Sequence, residues 1–292
     1  MNYLSHAITL LGMLLFAHNA SCLSLQTNIM GNYHLDRDSV LQRVDELKAL
    51  VDAKYWPTFN APQYALEMNY YEDGPFRMHL VQNSPGQAPR MECSSPEITF
   101  KSIPDVTSYE EWYAMLLHEC FHGFVYKKYP QFWDKMIELY PQDFYASDSL
   151  KALKENYGWY AEMLVKENSL LTQMLAANDI AEVQQLWAEF LPIRNERLHL
   201  VRERLELDIE LFYPITETNE GIARYIEYCL YREQGTEGKA DWMTNLDSSS
   251  YYYASGLYMI LIMEKFGIGF RDDLFERYFT LTELIDDKLK KK

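Results

Sequence analysis

The stretch that decides the fold is Leu116-Leu117-His118-Glu119-Cys120-Phe121-His122-Gly123, an HExxH string set within apolar residues. Working outward, Thr107-x-x-Glu110 and Ser108-x-x-Glu111 each offer a capping box upstream, and Tyr129-Pro130 offers a stop downstream. The residue before a proline is pushed out of the α region, so the pattern predicts a helix from Thr107 to about Lys128. Residues four apart lie one above the other on such a helix, so His118 and His122 can aim their imidazoles at one ion, with Glu119 beside them.

Two imidazoles and one further ligand leave a coordination position for water, whose pKa a zinc ion lowers toward neutrality. A carboxylate at Glu119 can take that proton as general base and return it to a leaving amine. The competing reading is a chance match, which composition alone would produce in a chain of this size about one time in a hundred. No His or Asp follows at short downstream spacing, since Gly123 precedes Phe124, Val125 and Tyr126, so the third ligand has to be a remote carboxylate. Glu220, in Asn219-Glu220-Gly221-Ile222-Ala223-Arg224-Tyr225, is the first candidate, because small Gly221 and Ala223 would let its helix approach the first closely. Its competing role is to stabilise its own helix N-terminus. Glu162 is the second candidate, set in an apolar stripe where an unpaired carboxylate is costly.

The texture of the chain changes near residue 105. Before it, Asp36 to Ala53 has helical spacing (Val40, Leu41, Val44, Leu47, Val51) with Asp36 or Asp38 as cap, and Tyr64 to Met78 and Met91 to Phe100 read as short strands. After it, helices are expected over Ser147 to Ala177 and Asp179 to Phe212, the latter laced with pairs such as Arg202 with Glu206 and broken by Pro214. Another is expected from Thr218 and Asn219, as N-caps, to about Glu233. A Tyr251 to Phe266 helix ends at Gly267, and a closing helix starts near Arg271. The expected fold is mainly α with a small β-region (α+β). Its expected parts are a leader at 1–22, a mixed α/β region at 23–104 and a helical catalytic region at 105–292.

The 43 acidic and 27 basic residues among 292 give a formal net charge of -16, which repels phosphate backbones and argues against nucleic acid as a partner. Residues 1 to 22 carry an apolar run from Ala7 to Ala17, too short to span a bilayer, followed by small residues: a signal-peptide pattern, although its only positive charges are the terminal amine and His6. The expectation is an exported chain with no transmembrane segment once the leader is removed, or a lipoprotein anchored through Cys22. Cys93, Cys120 and Cys229 form no CxxC spacing. Cys93 and Cys229 could pair in an oxidising compartment, and Cys120 reads as a buried thiol.

HECFHGF, followed about a hundred residues later by NEGIARYIEY, resembles the HExxH and EGxAxY elements of gluzincin-like secreted metallopeptidases. The later Tyr252-x-x-Ser255-Gly256 segment, running to Gly267, is similar to one found after them. The resemblance spans about residues 105 to 270. It implies a zincin-like fold, with zinc held by His118, His122 and Glu220 and with Glu119 catalytic on a peptide or protein substrate. An oxyanion donor is needed as well. Tyr225 is the first choice among 23 tyrosines, with Tyr228 and Tyr251 to Tyr253 as alternatives. Arg224 suits a substrate carboxylate or a surface ion pair, and His79 lies on a strand that suits a cleft edge. No GxSxG elbow appears, and Cys120 as nucleophile would waste the neighbouring histidines. The rival class is an inactive peptidase-like module that binds zinc, a partner or a glycan without turnover.

Overall fold

The computed structural model describes residues 36–82, 87–139, 146–236, 243–248 and 251–292. The leader and Cys22 lie outside these residues. The described chain is mostly helical with one small sheet. It divides into two units, Met1–Phe124 and Val125–Lys292.

In the first unit, helix α1 (Arg37–Lys54) begins where Asp36 accepts from the Ser39 N–H, and it buries Val40, Val44, Leu47 and Val51 on one stripe. The strands follow: β1 (Met68–Tyr71), β2 (Met78–Val81) and β3 (Arg90–Ser94). Their order is β1-β3-β2, with β3 parallel to β1 and antiparallel to β2. Met78 and Leu80 alternate inward opposite Cys93 and Met91, as a sheet covered on one face requires. The β-prone run to Phe100 does not continue the sheet. Ser95 accepts from the Ile98 N–H and Pro96 takes the first helical position, so Pro96–Ser102 forms a short helix, α2.

Helix α3 (Tyr109–Lys128) carries the HExxH string. The Ser108 hydroxyl accepts from the Glu111 N–H and so caps the helix, while the Glu111 carboxylate reaches past Ser108 to the Thr107 N–H and hydroxyl, so the cap forms with its return bond shifted by one residue from a full capping box. From Glu111 to Val125 every residue of α3 is buried. A helix buried all round needs partners on every side. Within the first unit Trp112 bonds Thr99 at 3.1 Å, Phe121 meets Trp56 edge-on, and Phe124 packs on Phe59 and Tyr64.

In the second unit, Pro130 starts α4 (Pro130–Leu139) in the place where its missing N–H is harmless. The single helix expected over Ser147 to Ala177 is two, α5 (Ala146–Asn156) and α6 (Gly158–Ala176), broken at extended Tyr157. Helix α7 (Ile180–Leu205) starts where expected, with Asp179 as its cap, and ends early at Glu206, which is left-handed with φ 57. Arg202 accordingly pairs with Glu210 at 2.6 Å, not with Glu206.

Helix α8 (Phe212–Glu233) corrects two further expectations. Pro214 lies in its first turn, where no intrahelical donor is needed, so it does not break the chain. Thr218 and Asn219 lie mid-helix and are not caps. The Thr218 hydroxyl bonds the Pro214 carbonyl at 2.7 Å and accepts from the Leu281 N–H at 2.9 Å. Helix α9 (Tyr251–Lys265) closes at Gly267, with φ 59, as expected. The last helix, α10 (Leu281–Lys290), begins at the Thr280 cap, nine residues after Arg271, because 271–279 is a turn region fixed by the Leu274–Tyr278 bridge. No helix among the described residues is long and apolar enough to cross a membrane.

Candidate metal centre

His118, Glu119 and His122 are all buried, at 2, 4 and 2% exposure. They form a group that can hold a metal ion, their ligand atoms lying within 4.8 Å of one another. The α-helical rise stacks the two rings one turn apart, with centroids 4.8 Å apart and planes at 82°. Their Nε2 atoms approach to 3.2 Å. An ion holding two imidazole nitrogens at about 2.0–2.1 Å in tetrahedral geometry separates them by about 3.3 Å, so the observed spacing fits a shared ion. It also fits a hydrogen bond between one ring's N–H and the other's lone pair, and both arrangements converge the same two nitrogens on one point.

Three neighbours on α3 set the surroundings. Gly123 has no side chain because the Leu66 side chain lies there: a Cβ would come 2.3 Å from its Cδ1. Phe121 anchors the opposite side in the aromatic cluster with Trp56 and Phe59. Burial, foremost, pushes the Cys120 thiol up from its ordinary value, and the Glu119 charge adds to this against Lys48. Cys120 is therefore a neutral packing group, and Cys93 is held neutral by burial in the same way. Cys93, Cys120 and Cys229 are all free, so the Cys93–Cys229 pairing considered from sequence does not form.

The remaining sequence candidates of the first unit lie on the sheet. His79 is half-buried on edge strand β2, opposite Glu92 in the register. Burial lowers its pKa, partly offset by Glu92, which Arg90 holds at 2.9 Å.

In the second unit, Glu220 lies on the interior of α8 at 2% exposure, with the Asn219 amide 3.4 Å from its Oε1. It therefore cannot be serving its own helix N-terminus, as the competing reading held. Gly221 fits against α9: a Cβ on it would come 2.6 Å from the Gly256 Cα. Glu220, Arg224 and Glu227 follow one another at single-turn spacing on α8, all buried. Arg224 bonds Glu227 at 3.2 Å, stacks 5.0 Å above Tyr253, and is thus no surface ion pair; the Tyr231 hydroxyl donates to Glu227. Tyr225 is five positions from Glu220 and projects from α8 about 140° away. Its hydroxyl accepts from Arg271 at 2.9 Å, and burial, foremost, raises its pKa. Glu162 is exposed, because the apolar stripe of α6 is formed by Tyr160, Leu164, Leu171 and Met174. The buried acid of that helix is Glu167, which sequence reasoning missed.

Five successive buried polar residues, Thr216 to Glu220, make α8 unlike any other described helix. Burying charge is costly unless it is paired or coordinates an ion. No protein-family model, no curated protein and no solved structure matches the chain.

Proposed function

We propose that the chain is a zinc-dependent hydrolase acting on peptide bonds, with His118 and His122 as two ligands and Glu119 as general base. The observation that carries this reading is the 3.2 Å convergence of two buried imidazole nitrogens beside a buried carboxylate. The donor set supports zinc, which accepts imidazole and carboxylate together. Glu220 is the third ligand in this reading, supported by the EGxAxY resemblance and by its burial inside α8.

Such an ion, when bound, acidifies water and polarises a carbonyl. The remaining work falls to the chain. Glu119 takes the proton of the attacking water on its carboxylate and delivers it to the leaving amine nitrogen, so one group serves both halves of the reaction. Glu119 itself is 4% exposed, which keeps bulk water from the base. The proposal does not extend to Tyr225, whose hydroxyl is engaged by Arg271. Residues 1 to 22 support an exported chain.

Glu119→Gln is expected to retain stoichiometric zinc and to lose hydrolysis of a peptide library, whereas His122→Ala is expected to lose zinc. Full activity in Glu119→Gln would overturn the mechanism. Stoichiometric zinc in the wild-type protein with no turnover would favour the binding module instead.

A further inference from the structure

The buried charges of the second unit are spent on one another. Arg197 on α7 grips Glu167 of α6 with two donors and also donates to the Tyr160 hydroxyl, which is joined to that of Tyr251 on α9. Arg194 pairs in the same way with Glu217 of α8. The sheet of the first unit uses its charges differently. One of its faces is apolar: Met78, Leu80, Met91 and Cys93 are buried, and Tyr70 meets Trp112 of α3 edge-on. Side chains alternate along a strand, so the opposite face carries Asn69, Glu92 and His79 side by side across the three strands. Arg77 stands beyond this row at one end and Arg90 at the other.

Glu92, 9% exposed, holds both arginines. Arg90 donates to its Oε1 from Nε at 3.2 Å and from Nη2 at 2.9 Å. Arg77 stands off the other oxygen, its Nε 3.6 Å from Oε2, and lies over the Tyr71 ring at 4.0 Å from the centroid. Arg90 therefore spends two donors on Glu92 and keeps the rest, and among the described residues the Arg77 guanidinium keeps all of its own. The two side chains are 26 and 25% exposed, open to a ligand yet partly dried, which strengthens a charged contact. On the row between them Asn69 and His79, whose pKa burial lowers, can each donate and accept.

Two cations against one anion leave the centre of this face positive in a chain of net charge -16. Glu67, just before β1, is exposed and pairs with neither arginine. The unspent donors are guanidinium forks, whose planar complement is a carboxylate. Because the two guanidiniums flank opposite oxygens of one carboxylate, they stand roughly 5–9 Å apart. Acidic side chains two apart on an extended peptide stand about 6.8 Å apart on one side, which matches. A long polyanion would be repelled by the rest of the surface, whereas a short acidic segment meets only the local field. We propose that this face of the sheet is a docking site for an extended acidic peptide segment, its carboxylates at alternate positions taken by Arg77 and Arg90. Glu92 and Tyr71 hold the two guanidiniums ready, so little order has to be gained on binding. The site shares no residue with the HExxH group and does not depend on that group's chemistry.

The test is fluorescence anisotropy on the full chain, at low salt, with a labelled peptide of about ten residues alternating Thr and Glu. Saturable binding is expected, and equally with EDTA present, which also silences any metal-dependent cleavage. Arg77→Gln and Arg90→Gln are each expected to weaken it about tenfold or more, the worth of a charge-assisted contact. Arg77→Lys, which keeps the charge and loses the fork, is expected to fall between wild type and Arg77→Gln. Arg43→Gln, an exposed arginine on α1, is expected to change affinity less than about twofold. The same peptide with Gln for Glu, and one with its glutamates at every third position so that successive carboxylates point to opposite sides, are both expected to bind about tenfold more weakly. Melting temperatures confirm that each variant is folded. No saturable binding up to about 1 mM would overturn the proposal. Equal affinity for the Glu and Gln peptides, or wild-type affinity in both Arg77→Gln and Arg90→Gln, would do the same. Binding lost on adding EDTA would assign the peptide to the metal group and overturn the sheet-face site, while absence of zinc-dependent hydrolysis would leave the site standing.

Discussion

Substituting Gly221 by Ala is the sharpest test of how α8 is held. The new Cβ would lie 2.6 Å from the Gly256 Cα and 2.8 Å from its carbonyl carbon. Carbon atoms pack at about 3.5–4.0 Å, so the overlap is about 1 Å, and both obstacles are backbone. No rotamer change relieves it; the helices must part. Overpacking costs about 1–3 kcal/mol where side chains can yield, and a backbone obstacle puts this site at the upper end, about 3 kcal/mol. At about 2–4 °C per kcal/mol, the metal-free protein should melt about 6–12 °C lower, read by circular dichroism. Gly256→Ala, whose Cβ would meet the Glu217 carbonyl oxygen at 2.4 Å, should cost a similar amount. Because one separation of the helices accommodates both methyls, the double variant should lose much less than the sum. Gly158→Ala is the opposite control: it opens α6 with nothing within 4 Å of its Cβ, and should gain about 0.4–1 kcal/mol. A melting temperature for Gly221→Ala within 2 °C of wild type, as an estimate of the scatter of such a measurement, would refute the close crossing. Strict additivity in the double variant would refute it equally.

Zinc at a hundredfold excess over its dissociation constant should stabilise the protein by about 2.7 kcal/mol, and His118→Ala should abolish that shift in a thermal scan. Arg197→Met leaves Glu167 buried without its bidentate partner and should cost about 3–5 kcal/mol by urea denaturation, far more than Arg202→Met on the same helix, whose Glu210 partner is partly exposed. Tyr225→Phe should keep peptide hydrolysis within a few-fold of wild type; a loss of a hundredfold or more would return Tyr225 to the role of oxyanion donor. Burial raises the thiols of Cys93, Cys120 and Cys229, the last to about 12 from an ordinary value of 9.0, so the folded chain keeps protons that the unfolded chain releases. Their contribution to stability is therefore complete below about pH 8.5 and lost as pH rises beyond it. Urea midpoints should fall between about pH 9 and 11, and a flat profile would contradict this.

Much of the first unit and several helix ends could be read from sequence because their signals are local. Asp36, Ser108, Asp179 and Gly267 each act through a hydrogen bond or a backbone angle within a few residues, and HExxH is itself a one-turn relation. The failures share a cause. Ser95-Pro96 is a helix start, but the β-prone Ile98-Thr99-Phe100 that follows outweighed it. Thr218 and Asn219 look like caps because polar residues in helices are usually found at ends, whereas here the Thr218 hydroxyl bonds back to Pro214 within its own helix and accepts from Leu281, 63 residues away, which no window reveals. Glu162 and Glu167 differ only in which faces Arg197, from 30 residues away. Helix α8 is buried at nearly every position from Phe212 to Tyr231, so its polar stripe marks no solvent face.

The charge network joining α6 to α9 has a consequence for how the second unit comes into being. Arg194 reaches its carboxylate partner 23 residues later, and the Tyr160 hydroxyl waits 91 residues for that of Tyr251. A nascent chain halted before Tyr251 would hold two guanidiniums and two carboxylates with the α9 wall missing and water still among them. The network of the unit is therefore complete only once α9 has been made.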